Sequence, residues 1–358
     1  MSVRPARLAA GHETNSLSPS ETTAPCRPLA GASACVCNIC MYIRIQPSET
    51  LSSRSRSRTR PSSRHHALYP SHASRHQPSA TMAAYDRELE VARQAAIEAG
   101  ALIKAAWNEP RQVDEKSSAA DLVTETDKKC EGAIKKILVD AFPTYTFIGE
   151  EETAALGRVP ELTDAPSWLV DPVDGTTSFV HRFPFCCVSI ALAVERKVVA
   201  GIVYNPVLDE LYEATAGGGA RLNGEKILCS DASTLASSIF ITELGSRRDE
   251  EFLDACFARM RSIAAATRGF RSCGSCALNL CSVASGRADG YYEIGLGGPW
   301  DMAAGALILE EAGGKVSDPA GGPLNIMSRR VLGTNGRLHA KFVDILKQGP
   351  LAKDEPAP

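Results

Sequence analysis

The chain has 358 residues, a formal net charge of −3, and hydrophobic and charged contents of 44% and 23%, the balance of an ordinary globular enzyme with length for about two domains. No run approaches the roughly 20 apolar residues that span a bilayer, which excludes an integral helical membrane protein. The charge is unevenly spread: residues 1–81 hold ten Arg and no Lys against three Glu, leaving 29 basic and 39 acidic residues in the remainder, and so acidic a body argues against nucleic acid as its main partner.

Residues 1–81 carry fifteen Ser and the run "SSRSRSRTRPSSRHH" with no hydrophobic period, a composition expected to stay disordered. It reads either as an Arg/Ser-rich organelle transit peptide or as a gene-model extension ahead of a native start at Met82; one Arg-Ser run leaves an RNA-binding arm as a third reading. The expected organisation is an extension over 1–81 and a catalytic domain over 82–358. Its expected location is the cytoplasm, or a plastid if the extension is a transit peptide. Cys35, Cys37 and Cys40 are crowded in the extension without a matching second cluster, so a zinc site there is not expected. Cys273 and Cys276 form a C-x-x-C without a redox setting, and with Cys186, Cys187 and Cys281 they read as small buried hydrophobes.

The body opens on a helix, with Leu89, Ala92, Ala96, Ala99, Leu102, Ile103 and Ala106 on one face. A second helix starts near Thr126 and presents Ile134, Ile137, Leu138 and Phe142 before Pro143. "YTFIGEEE" predicts a short strand ending in acids, and "WLVDPVDGTT" a buried strand ending in two aspartates. "CCVSIALAV" and "VVAGIVYNP" are β-branched strands joined by Glu195, Arg196 and Lys197; "DELYEAT" adds another, and "GGGARLNGEKI" reads as turns with a strand piece. Beyond these come a strand at Ser238–Thr242, helices from about Asp249 to Arg261 and Ser275 to Ala284, and a strand at Asp289–Glu293. The last helix, "PWDMAAGALILEEAGG", starts at Pro299 with Asp301 in its first turn and stops at Gly313 and Gly314. Strands and helices alternate without a regular βαβ rhythm, which predicts a layered α/β sandwich with mixed sheets.

Four acids fall at element ends: Glu150, Asp171, Asp174 and Asp301. Carboxylates gathered at close range need a cation to stay ionised, and an all-oxygen set suits Mg²⁺ or Mn²⁺. Asp171 and Asp174, flanking the Val173 carbonyl, have the spacing to bridge two ions for phosphoryl hydrolysis. Any one of these acids alone reads as a solvated turn residue or a helix-dipole partner, as Glu151 and Glu152 do; the conjunction points to chemistry. Gly175-Thr176-Thr177, leading from strand to helix, adds backbone N–H groups for an anion. The D-x-x-D spacing departs from the D-x-D of aspartyl-nucleophile phosphatases, and the alternate acids of an EF-hand are absent. Histidine catalysis has little support, since only His181 and His339 lie in the body.

"DLVTETD", "FIGEE", "WLVDPVDGTTSFVHRFPF" and "PWDMAAGALILEEAGG", in this order, resemble the inositol monophosphatase family over residues 85–346. "ELTDAPSW", "RSCGSCALNLC" and "GLGGPWD" are most similar to its plant-type enzymes acting on inositol 1-phosphate and L-galactose 1-phosphate. The resemblance implies a five-layer αβαβα sandwich, a homodimer, a small-molecule phosphate monoester substrate, lithium sensitivity, and two or three Mg²⁺ ions. It implies Glu150, Asp171 and the Val173 carbonyl at a first ion, and Asp171, Asp174 and Asp301 at a second. Asp127 and Thr176, with Glu150, would be the catalytic groups acting on the attacking water. Gly175 and Thr176 would hold phosphate; Asp174, Glu293, the Cys276 N–H and Lys116 would complete the substrate site. Ser178 and Arg182 depart from the family's usual Asn and Gly, and the segment from Glu293 to Asp301 is one residue longer than in animal relatives. The same superfamily offers alternatives: a phosphatase for 3′-phosphoadenosine 5′-phosphate or fructose 1,6-bisphosphate. A catalytically silent phosphate-binding protein is a further reading, but it would have lost a ligand.

Overall fold

The structure, a computed structural model, describes residues 85–110, 112–116, 122–351 and 355–356. The expectations for residues 1–81, including Cys35, Cys37 and Cys40, lie outside the described residues. Helix α1 (Asp86–Ala106) buries Ala92, Ala95, Ala96, Ala99 and Ile103, a face of small side chains that allows a close approach to the sheet beneath. A hairpin, β1 (Val113–Glu115) and β2 (Leu122–Thr124), precedes α2 (Glu125–Ala141). Thr124 caps that helix by accepting from Thr126 N, and Asp127 returns a carboxylate to Thr124 N at 2.9 Å, a reciprocal N-terminal box. The chain continues through β3 (Thr146–Gly149), α3 (Glu150–Leu156), β4 (Ser167–Asp174), α4 (Thr176–His181), β5 (Cys187–Val194), β6 (Lys197–Asn205), β7 (Glu210–Thr215), β8 (Gly219–Leu222) and β9 (Glu225–Lys226). Strands β3 to β9 lie in sequential order in one seven-stranded sheet, parallel only between β3 and β4.

The second half holds β10 (Ile239–Thr242), α5 (Glu250–Ala266), β11 (Gly269–Arg271), α6 (Cys276–Ala284), β12 (Gly290–Ile294), α7 (Pro299–Glu311), β13 (Lys315–Ser317), β14 (Arg330–Thr334) and α8 (His339–Lys347). Its five strands pair in the order β11-β10-β12-β14-β13. Three apolar clusters define the stacking. Ile103, Ile134, Leu138, Trp168, Val170 and Ile202 join α1 and α2 to the large sheet. Leu169, Val203, Leu280, Met302, Ile308 and Val331 fill the middle around α6 and α7. Phe240, Ile263, Tyr292, Leu332 and Phe342 join the small sheet to α5 and α8. Successive residues such as Leu169 and Val170, or Val331 and Leu332, thus face different cores, the period-two signature of strands covered on both faces.

The architecture is the expected αβαβα sandwich. Helix α7 is buried from Pro299 to Leu309 because it lies between two sheets, which is why its sequence is apolar all round. At Gly201 on β6 a Cβ would come 3.0 Å from Ala304 Cα of α7, so only glycine allows that contact. The structure moves some boundaries. Glu150, Glu151 and Glu152 begin α3 rather than end a strand, and α5 runs to Ala266 with Asp249 as its cap. The eight described cysteines are free thiols, six of them buried. No helix among the described residues is long and apolar enough to cross a membrane.

His339, at the start of α8, is 5% exposed, contacts Thr334 Oγ1 through Nδ1 at 3.0 Å, and has no partner for Nε2 among the described residues. Burial, helped by Lys315, pushes its pKa down to about 4 from 6.5. Between those values the unfolded chain binds a proton that the folded chain refuses, so stability falls as pH drops from 6.5 towards 4 and this contribution levels off below. His339→Asn should remove up to about 3 kcal/mol of that acid sensitivity. Urea titrations of both proteins at pH 7 and pH 4.5 check it; parallel losses would show that His339 has no part.

Candidate active site

In a regular strand, residues three apart point to opposite faces, yet Asp171 and Asp174 line one cavity. The pairing of β4 with β5 explains this. Asp171 opposes Ser189 and Asp174 opposes Cys187, so β4 carries one extra residue between them. This bulge bends the strand and re-aims its side chains. Asp171 Oδ1 then accepts from Val173 N at 2.9 Å. Asp174 reaches the N-terminus of α6, where Oδ2 accepts from Ser275 Oγ at 2.6 Å and Ala277 N at 2.7 Å, and Oδ1 from Cys276 N at 3.3 Å. The Cys276 N–H is therefore engaged by Asp174.

The other two acids arrive on helix starts. Glu150 is the first residue of α3, whose next two amides donate to Glu131 of α2, Glu151 N at 2.7 Å and Glu152 N at 2.8 Å. Asp301 sits in the first turn of α7, with Gly297 N donating to its Oδ2 at 2.7 Å. Glu150, Asp171, Val173, Asp174, Gly175, Thr176, Glu293 and Asp301 all line a cavity of about 410 Å³. A second cavity of about 480 Å³ shares Asp174, Glu293 and Asp301 and runs out past Arg248 and His181.

Electrostatically the cluster is under load. Burial raises Asp171 well above the usual carboxylate range, and the charges of Glu150, Asp174 and Asp301 add to it. Asp301 is raised by burial, Asp174 and Glu150. Burial pushes Asp174 up to about 6 against the pull of Ser275 and Ala277. Such a set stays ionised only beside a positive charge. Lys116 supplies one at the edge, with Nζ 2.8 Å from Glu150 Oε1 and 2.6 Å from Glu151 Oε1. Burial pulls this lysine down, but the two glutamates outweigh it and hold it above its ordinary value. Glu151 is thus a partly buried ion-pair partner rather than a solvated turn acid, and Glu152 pairs with Lys135 at 2.7 Å.

An all-carboxylate set with one main-chain carbonyl fits a hard divalent cation such as Mg²⁺. Among the described residues no three carboxylate, thiol or imidazole groups already close into a cage. Their oxygens are turned instead onto Lys116, Ser275, Gly297 and backbone amides. Next to the cluster, Thr176 Oγ1 lies 3.1 Å from Asp127 Oδ1 and 3.2 Å from the Val173 carbonyl. Between them Gly175 takes φ 92°, and a Cβ there would meet the Gly274 and Phe185 carbonyls at 2.9 Å. The turn into α4 thus needs glycine.

The inositol monophosphatase family model matches residues 84–350. The chain belongs to this family. It is 50% identical over 260 residues to inositol monophosphatase 2 of Solanum lycopersicum, covering 73% of this chain and 98% of that one. Against inositol monophosphatase 1 of Homo sapiens the identity is 42% over 262 residues, covering 73% and 94%. The solved inositol monophosphatase from Anabaena (Nostoc) superposes with a TM-score of 0.64 at 34% identity, covering 74% of this chain and 96% of that chain. The protein is accordingly a phosphatase, a hydrolase of phosphoric monoesters.

Arg182, one of the two departures from the resemblance, closes α4 in the left-handed region at φ 57°, a conformation that favours glycine and costs another residue roughly 1–2 kcal/mol. Its Nε donates to the Trp107 carbonyl at 3.2 Å, which helps hold the turn. The structure brings together Asp127, Thr176, Glu150, Asp171, Val173, Asp174, Gly175, Glu293 and Asp301, with Lys116 at the rim and Cys276 behind Asp174. Sequence reasoning missed Glu131 and Glu243. The available signal for Glu131 was its position: it shares the stripe of Asp127, Ile134 and Leu138 on α2, all buried, where a carboxylate is out of place without a partner.

Proposed function

We propose that the protein is a Mg²⁺-dependent phosphatase of inositol 1-phosphate that also accepts L-galactose 1-phosphate. The observation that carries this reading is the buried carboxylate cluster opening on one cavity beside the Asp127–Thr176 pair. Glu150, Asp171 and the Val173 carbonyl would hold one cation, and Asp171, Asp174 and Asp301 a second. Bound there, Mg²⁺ lowers the pKa of a water and offsets charge on the phosphoryl oxygens.

The chain's own groups supply orientation and proton transfer. Thr176 Oγ1 donates to Asp127 Oδ1, which leaves its lone pairs free to accept from the attacking water and pass a proton towards Asp127. Glu150 lies on the other side of the same space, with the α3 amides fixed by Glu131. The Gly175 and Thr176 N–H groups, at the start of α4, face the phosphate, and Glu293 and Lys116 face the leaving alcohol and the rim. The water attacks phosphorus in line and the alcohol leaves opposite, with no covalent enzyme intermediate. A homodimer is the assembly we propose.

Phosphate release in the presence of Mg²⁺ should favour inositol 1-phosphate and L-galactose 1-phosphate over fructose 1,6-bisphosphate and 3′-phosphoadenosine 5′-phosphate. A preference for either of the last two would overturn the substrate assignment while leaving the family intact.

A further inference from the structure

Glu243 directly follows β10 and belongs to no motif of the family resemblance, yet its carboxylate is saturated with donors. Oε1 accepts from Cys273 N at 2.7 Å, Gly274 N at 2.9 Å and Asn279 Nδ2 at 2.8 Å, and Oε2 accepts from Ser272 Oγ. Three of these donors lie in the loop between β11 and α6; the fourth, Asn279, is fully buried one turn into α6. A single carboxylate therefore clasps the loop to the helix that it feeds.

What the clasp presents is three of the four donors on Asp174. Ser275 caps α6, and its Oγ together with Cys276 N and Ala277 N donates to the Asp174 carboxylate; the fourth donor, Cys187 Sγ on β5, lies 3.7 Å from Oδ2. Gly274, in the left-handed region at φ 88°, also places its carbonyl against Gly175. The position of this one loop sets both the carboxylate and the wall beside the Gly175–Thr176 turn.

We propose that Glu243 is a positioning residue for Asp174: it fixes the 272–274 loop on α6, so that three donors orient the Asp174 carboxylate towards the cation site. The last step rests on the reading of Asp174 as a cation ligand. The demand on residue 243 is for an acceptor more than for a charge. A glutamine would keep one oxygen for Cys273, Gly274 and Asn279, and the Ser272 hydroxyl can turn to accept from the amide.

The test compares the full-length wild type with Glu243→Ala and Glu243→Gln by two readouts: amide hydrogen exchange over 273–277 in chelated protein, and Mg²⁺ binding followed by calorimetry without substrate. Glu243→Ala should lose exchange protection at Cys276 and Ala277 and weaken Mg²⁺ binding about tenfold or more, the range for removing a group that orients a metal ligand, whereas Glu243→Gln should stay within about threefold. If Glu243→Ala does not fold, Ser272→Ala removes one partner alone and should give a smaller loss in the same two readouts. Unchanged exchange and unchanged Mg²⁺ binding in the alanine variant would overturn the proposal, as would a glutamine variant as damaged as the alanine one, which would make the role one of charge. A wild type that does not bind Mg²⁺ would sink the functional reading instead, and the exchange measurement would still decide the positioning role.

Discussion

Asp301→Asn should lower turnover of inositol 1-phosphate about 10³-fold, the loss of roughly 4 kcal/mol expected when a charged group that holds a catalytic cation is removed. The fold should survive, because an asparagine oxygen can still accept from Gly297 N. Stability without metal should be unchanged or higher: Asp301 is a buried acid facing Asp174 and Glu150, and a neutral amide relieves that repulsion. Steady-state kinetics and thermal melts of chelated wild type and variant check the two halves. A variant keeping more than about a tenth of wild-type turnover, less than 1.4 kcal/mol of lost stabilisation, would remove Asp301 from the cation site. A variant that melts far below wild type would make its role structural.

Glu293→Gln is expected to separate sugar recognition from phosphate chemistry. Glu293, the penultimate residue of β12, is 7% exposed, accepts from the Tyr291 hydroxyl through Oε2, and lines both cavities. In the proposed site the cations and the Gly175–Thr176 turn would face only the phosphate, so discrimination between alcohols would fall to groups such as this one. A hydrogen bond to a charged acceptor contributes roughly 1.5–3 kcal/mol, so the variant should lose about 10-fold or more in kcat/KM on inositol 1-phosphate and L-galactose 1-phosphate. Glycerol 2-phosphate, with fewer hydroxyls, should lose much less. Equal losses on all three substrates would assign Glu293 to the cation site or to the fold.

The acids of the site were legible because each follows an apolar run or opens a helix, where a carboxylate must sit at a rim. The sandwich was legible from long apolar strands and from α7, which is apolar on every side. The bulge in β4 went unread although Pro172 marks it, because a proline inside a central strand cannot donate to the ladder and is confined to bulges. Glu131 and Glu243 stayed hidden for another reason: their partners lie 20 to 36 residues away, and only the folded chain joins them. In hindsight Glu243 follows the buried strand "IFIT" much as Asp171 and Asp174 end theirs. Elements of three residues, such as β1, β11 and β13, are too short to show a period.

If the carboxylate cluster works by holding a divalent cation, phosphate release from inositol 1-phosphate by the full-length protein depends on that ion. Chelation should abolish turnover and Mg²⁺ alone should restore it, with lithium suppressing the recovered activity. Turnover that persists undiminished in the chelated protein would contradict that dependence.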